Sequence, residues 1–257
     1  MFKHHNNFFP PKDHNAKIWR YLDFTKYVSL LEKQALFFTR ADKFDDLFEG
    51  VSPKTEVEYF LERSKDRPGR DEKKDRKVFL ESEQKTRRDV AINCWHLSEH
   101  ESVAMWKIYL KSEEGLAIQS SYNRLKDSLH AHIEDDVHIG IVNYIDYDKE
   151  NLKNKLYFNF THKRQFFEYE KELRAFIRRF HRDIENPKRE LAFSEYLTLD
   201  GFLSGDYIKV DLNILVEKIV IAPTAPSWFA ELVTSISAKY GLRKPVESSV
   251  ISNKPYS

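Results

Sequence analysis

Residues 163–177 read Lys-Arg-Gln-Phe-Phe-Glu-Tyr-Glu-Lys-Glu-Leu-Arg-Ala-Phe-Ile, a dense charged patch set directly against an apolar run. Apolar residues at 166, 169, 173, 176, 177 and 180 fit a helical stripe. From Leu173 onward alternation fits as well, with Leu173, Ala175 and Ile177 on one face and Glu172, Arg174 and Phe176 on the other. A short helix ending near Lys171 and a strand after it satisfy both patterns. Glu170 and Glu172 then stand at a helix-to-strand junction, where a carboxylate is held in place while facing a cleft. The plainer alternative is a surface helix with ordinary Glu and Arg pairs.

Upstream, Ile18 to Leu22 reads as a strand, and Phe24, Tyr27, Val28 and Leu31 follow at helical spacing. Leu36 to Thr39 suggests a second strand, and Asp42 to Gly50 is rich in turn residues. From Lys54 to Asp89 charge of both signs dominates, with Pro68-Gly69 splitting the stretch into two helices. This is an inserted, solvated helical pair, either a lid or a surface excursion. Val90 to Leu97 is a strand, and Ser98 with Glu101 has capping-box spacing for a helix through Val103, Trp106 and Leu110. Further strands are expected at Leu116 to Ser120, Ile139 to Tyr147, Ile219 to Ala222 and Val246 to Ile251, with helices near Tyr122 to Leu129 and after Pro226. Gly241 suits a helix C-cap, and the polar stretch from Arg182 to Asp206 shows no clear period. Strands and helices mix without strict alternation. The expected fold is α+β: a mixed sheet core with flanking helices, one domain over residues 1–257 carrying the helical insertion 54–89.

Composition narrows the chemistry. The 257 residues suffice for a substantial core, rich in 19 Phe, 13 Tyr and 4 Trp. A net charge of +1 does not indicate nucleic acid or an anionic membrane, although a local basic groove stays open. The one cysteine, Cys94, excludes an internal disulfide and fits a reducing, cytoplasmic setting. No stretch has the length and apolarity of a membrane span or a secretory signal. The seven glycines never cluster, which argues against Walker-type and Rossmann phosphate loops. A nucleotide, if used, is held another way.

Metal and nucleophile signals are weak. His96 and His100 lack the partner spacing of a zincin, since Ala104 stands where a second histidine belongs. His130, His132 and His138 around Asp135 and Asp136 read as loop residues. Cys94 reads as a small buried side chain, and no Gly-x-Ser-x-Gly elbow occurs. Carboxylates remain: Asp45, Asp46 and Glu49 in the turn, and Glu170 and Glu172 at the junction. Arg20 and Arg40 are candidate anion contacts, because a guanidinium grips a phosphate or carboxylate by paired hydrogen bonds. Asp46 with Glu170 and Glu172 would also suit a metal-dependent nuclease, but Tyr169 occupies the acid position of the usual acid-x-Lys element.

Four blocks resemble the bacterial domain of unknown function 2971. They are Trp19-Arg20-Tyr21-Leu22; Leu36 through Gly50; Cys94-Trp95-His96 through Trp106 and Tyr109 to Gly115-Leu116-Ala117-Ile118; and Lys163 with Tyr169 through Arg174. Leu47 stands where that family often has proline. The order of an early arginine strand, a helix, an aromatic-Thr strand and a late glutamate opening a strand is similar to ADP-ribosyltransferases. That resemblance implies NAD as substrate and no metal. It implies that Arg20 contacts the NAD phosphates or ribose and that Thr39, with Phe38, supports the nicotinamide ribose. Glu172 would bind a ribose hydroxyl and stabilise positive charge at the anomeric carbon, and Glu170 would orient or activate the acceptor. Tyr21 or Trp106 would stack on nicotinamide. Lys163, Arg174, Arg40, Asp46 and Glu49 are further candidates.

The leading expectation is an NAD-consuming, ADP-ribosyltransferase-like effector, a toxin or phage-defence protein with a macromolecular acceptor. The alternatives are a non-catalytic protein-binding or sensor module and a metal-dependent nuclease. Convergence of Arg20, Thr39 and Glu172 on an open cleft would favour catalysis; closure of these residues into ion pairs would count against it.

Overall fold

The computed structural model describes residues 1–129, 136–150, 157–178 and 204–252. The fold is α+β. Strand β1 (Lys17–Asp23) runs into helix α1 (Phe24–Lys33), whose start is capped by the Asp23 carboxylate accepting from Lys26 N. Gln34 turns the chain in a left-handed conformation into β2 (Ala35–Arg40). The charged insertion is two helices, α2 (Lys54–Arg63) and α3 (Glu72–Asp89), and it leads directly into β3 (Val90–Leu97). Then follow α4 (Val103–Tyr109), β4 (Gly115–Ser121) and α5 (Tyr122–Asp127).

Strand β3 organises the sheet. Along one edge it pairs with β8 (Glu172–Arg178) in an antiparallel ladder from Val90↔Arg178 to His96↔Glu172. β8 carries β5 (His138–Ile141) on its far side. The other edge of β3 is divided. Its beginning pairs with β2, at Ala91↔Arg40 and Ile92↔Thr39, and its end pairs with β1, at His96↔Trp19 and Leu97↔Ile18. β1 and β2 therefore diverge along this edge, and Asn93, Cys94 and Trp95 have no ladder partner there among the described strands. From β1 the sheet continues through β4 and β10 (Lys218–Ile221) to β11 (Val246–Ser248); beyond β2 lies β9 (Gly205–Lys209).

The period-two pattern of β8 sorts its side chains as its sequence predicts. Leu173, Ala175 and Ile177 join the large core with Ile18, Leu31, Leu36, Trp95 and Ile118, covered by α1 and the C-terminal helix Phe229–Lys239. Each fully buried Leu or Ile there contributes about 1.5–3 kcal/mol. On the opposite face Phe176 packs with Ile92, Val90 and Phe160, while Trp19 and Tyr21 pack under α4 with Met105 and Trp106. Glu172 and Arg174 lie on this second face, between the two smaller clusters.

Four local expectations are corrected. The cap of α4 is Ser102, which accepts from Met105 N at 3.3 Å. Ser98 instead closes a turn on His100, and Glu101 accepts from Trp106 Nε1. The stretch from Ile139 breaks at Val142 into β5 and β6 (Asn143–Ile145). β5 follows β8 only as far as Ile141↔Leu173; β8 begins at Glu172, so the next residues pair with β7 (His162–Arg164) in a separate two-stranded sheet. The helix before Lys171 is a 3-10 turn, Gln165–Glu170, ended by Lys171 at φ 41°. The last strand stops at Ser248, and a 3-10 turn, Val250–Ser252, follows. Of the unassigned polar stretch, 182–203 lies outside the described residues, as do His130, His132 and Asp135; Gly205 and Asp206 belong to β9.

Candidate active site

Lys171 sets the geometry of the two acids. Its left-handed conformation ends the 3-10 turn and starts β8, so Glu170 and Glu172 leave the chain on either side of a sharp reversal. Both side chains return to one ammonium: Lys163 Nζ donates to Glu170 Oε2 at 2.5 Å and to Glu172 Oε1 at 2.8 Å. Arg174, two residues along the same strand face, donates through Nε to Glu172 Oε2 at 2.7 Å and through Nη2 to Oε1 at 3.2 Å. Its outer edge grips Glu49 in two parallel bonds, at 2.7 and 2.8 Å, and Nη1 also donates to the Phe160 carbonyl at 2.9 Å. All five guanidinium N–H groups are thus used. The cluster is buried, with Glu172 only 4% exposed.

Charge counting frames the protonation states, with burial raising Glu49 as well, against the pull of Arg174. Three carboxylates, Glu49, Glu170 and Glu172, face two cations, Lys163 and Arg174, so neutrality needs one proton. Burial and the hydrogen bond and charge of Glu172 raise Glu170 from an ordinary 4.5 to about 8, against the pull of Lys163. Burial opposes the charge on Glu172 as well, but Arg174, the Glu170 hydrogen bond and Lys163 outweigh it and hold Glu172 well below the usual carboxylate range. Near neutral pH, a protonated Glu170 stands beside an ionised Glu172. The two titrate as a pair. Burial works against the charge of Lys163, yet Glu172 and Glu170 raise its pKa. Two acids in one site with opposite protonation states is the arrangement that general acid–base chemistry uses.

Around the pair stand groups without an obvious core role. The Tyr144 hydroxyl accepts from Glu172 N at 2.8 Å, and His96 Nδ1 meets the Glu170 carbonyl at 2.7 Å. Cys94 shares the face of Glu172, and burial followed by the Glu172 charge pushes its thiol well above its normal value, which removes it as a nucleophile. Tyr109, at the end of α4, is 41% exposed, but its hydroxyl is desolvated and feels Cys94, Glu172, Glu170 and Arg20 together. Among the site candidates its sequence signal was only its place in the third block.

Arg20 occupies the fork. Its Nη1 donates to the Cys94 carbonyl at 2.9 Å, one of the groups left without a ladder partner where β1 and β2 part, and its guanidinium lies 5.9 Å from the Trp95 ring. Among the described residues it has no carboxylate partner: Glu172 is held by Lys163 and Arg174, and Asp46 by Arg164 at 2.7 Å. Burial lowers the pKa of this guanidinium, and among the described residues Nη1 alone has a hydrogen-bond partner.

Other candidates fall elsewhere. Thr39 pairs with Ile92, four residues along β3 from His96, which is about 13 Å from the row holding Glu172. β3, carrying Asn93 to His96, is the strand that stands between Arg20 and Glu172. Arg40 is buried against Asp42, bonding at 2.6 and 3.0 Å. Tyr21 and Trp106 meet edge to face at 4.8 Å; the Tyr21 hydroxyl accepts from Ser102 N, and burial lifts that phenol to about 12. Both are core residues under α4, closed to a stacking ligand. Arg174 and Lys163 fill the space between Glu49, Glu170 and Glu172 where a metal would sit. Among the described residues no group of three or more His, Cys, Asp or Glu side chains is arranged to hold a metal ion, and no helix is long and apolar enough to cross a membrane.

No family model matches the chain, so the likeness to the domain of unknown function rests on the four quoted blocks. No curated protein matches it. Two solved structures are similar. One is Thermus sp. 2.9 DarT in complex with NAD+, at 10% identity and TM-score 0.40, covering 95% of this chain and 100% of that one. The other is Thermus sp. 2.9 DarT in complex with carba-NAD+, at 11% identity and TM-score 0.37, covering 93% and 96%.

Proposed function

We propose that the chain is an NAD-consuming, ADP-ribosyltransferase-like enzyme that transfers ADP-ribose to a macromolecular acceptor, acting as a toxin or phage-defence effector. The observation that supports it most is the Glu170–Glu172 pair, split into a neutral and an ionised carboxyl, one strand across β3 from an arginine that has no acid partner among the described residues. Arg20 binds the pyrophosphate. Glu172 supplies the negative charge that stabilises the cationic anomeric carbon as the C1′–N bond breaks and its electron pair leaves with neutral nicotinamide. The acceptor's lone pair forms the new bond to C1′, and its proton passes to the deprotonated fraction of Glu170, a stronger base than an ordinary carboxylate.

A second reading has its own observation. Glu172 is nearly sealed, with both oxygens bonded to cations, as expected of a structural ion pair in a binding or sensor module. Incubation with nicotinamide-labelled NAD separates the two. The enzyme reading expects nicotinamide release that Glu170→Gln lowers by about 100-fold. NAD left intact by the wild-type protein, with and without cell extract as acceptor source, leaves the binding module. A folded Glu170→Gln protein that releases nicotinamide at the wild-type rate excludes Glu170 from the chemistry.

A further inference from the structure

Glu49 sits in the turn after β2, far in sequence from β8, yet its carboxylate is buried and accepts two hydrogen bonds from Arg174. Its position is built. Gly50 follows at φ 72°, and a Cβ there would stand 2.4 Å from the Phe160 ring. Phe160 in turn lends its carbonyl to the same guanidinium. Turn, glycine and ring together hold the Glu49 carboxylate on the outer edge of the Arg174 fork, which leaves the inner edge for Glu172.

We propose that Glu49 is a positioning residue for the acid pair: through Arg174 it fixes the pose of Glu172, and it supplies the third negative charge of the cluster. This inference rests on the enzyme reading above for its catalytic consequence. A fork gripped on one side cannot rotate, so Nε stays on Glu172 Oε2. The Glu49 charge also divides the pull of Arg174 between two carboxylates, so Glu172 keeps negative potential for a substrate cation. The groups that face Glu170 are Glu172 and Arg174 from β8, Lys163 from β7, Tyr144 from β6, Tyr109 from α4 and His96 from β3. Of these, Arg174 alone is bonded to Glu49. With Glu49 neutral, two cations face two carboxylates, and Glu170 no longer needs its proton.

The test is a carboxyl-carbon NMR titration of glutamate-labelled wild-type and Glu49→Gln protein, with Glu170→Gln assigning the resonance, beside pH profiles of nicotinamide release. The Glu170 midpoint is expected to drop by about one pH unit or more in Glu49→Gln, a tenfold loss of proton affinity, and the rising limb of kcat/KM to move the same way. An unchanged midpoint in folded Glu49→Gln protein overturns the inference. If that variant does not fold, Glu49→Asp keeps the charge on a shorter arm. It should keep the wild-type midpoint and lower kcat at constant KM, and a wild-type kcat overturns the positioning role. A midpoint that moves in a protein without NAD turnover ends the enzyme reading and leaves the coupling standing. An active wild type without the coupling does the reverse.

Discussion

Glu170 and Glu172 are bonded to the same Lys163 ammonium, at 2.5 and 2.8 Å, although the residue between them points away into solvent. One αL residue, Lys171, brings this about: the chain reverses there, and two side chains that a continuous strand would space apart along one face are folded onto one cation.

The acid pair is expected to tolerate Glu170→Gln. Glu170 is largely protonated at neutral pH, and glutamine has the shape and donor capacity of a protonated carboxyl. Thermal unfolding at pH 7 should show no loss of stability, because the variant needs no proton uptake on folding, with nicotinamide release reduced as above. A large loss of stability would show that Glu170 is ionised in the folded protein.

Arg174 behaves in the opposite way. Arg174→Met leaves Glu49 and Glu172 buried beside Lys163 alone, and removing one partner of a buried ion network costs about 3–5 kcal/mol. Urea unfolding should show this loss. A variant within about 1 kcal/mol of wild type would contradict the closed network.

Arg20→Ala should separate binding from folding. With a carbonyl and a Trp face as its partners among the described residues, its loss is expected to cost little stability but to raise the KM or Kd for NAD by about 10-fold or more, the worth of one or two charge-assisted hydrogen bonds. Calorimetric titration with NAD reads it. Unaltered affinity would remove Arg20 from the site.

Stability should depend on pH in a defined direction. A carboxyl raised from 4.5 to about 8 on folding contributes stability that is fully present below its unfolded value and is lost as pH rises through the folded one. Between those limits the folded protein holds the extra proton, so stability falls with pH at up to about 1.4 kcal/mol per unit. Glu172 acts oppositely, with its contribution lost as pH drops below the ordinary carboxylate range. Denaturant midpoints should therefore peak near pH 5, and Glu170→Gln should flatten the fall above it. A flat wild-type profile from pH 5 to 8 would contradict the shared proton.

Much of the fold was readable from local pattern. The alternation in 172–177 placed each β8 side chain on its correct face, and Pro68-Gly69 located the break between the two charged helices. Misreadings came where two local solutions compete. Ser98 and Ser102 both offer an N-cap, and only the packing of Trp106 on Tyr21 selects the second. Ile139 to Tyr147 alternates throughout, but a strand lasts only as long as its partner, and β8 reaches no further than its first residue, Glu172. Thr39 was matched to the site by its order along the chain, whereas β3 is the strand that lies between Arg20 and Glu172.

By itself the sequence determined the element types, the face on which Glu172 and Arg174 stand, and the absence of clustered glycines for a phosphate loop, because those follow from periods of two and 3.6 and from local backbone freedom. Only the tertiary structure decided which charges meet. Glu49 reaches Arg174 across 125 residues, Lys163 bridges both acids, and Arg20 is left without one among the described residues. Ion pairing depends on distances in space of a few ångströms, and pairing across sheet edges sets those distances independently of separation along the chain.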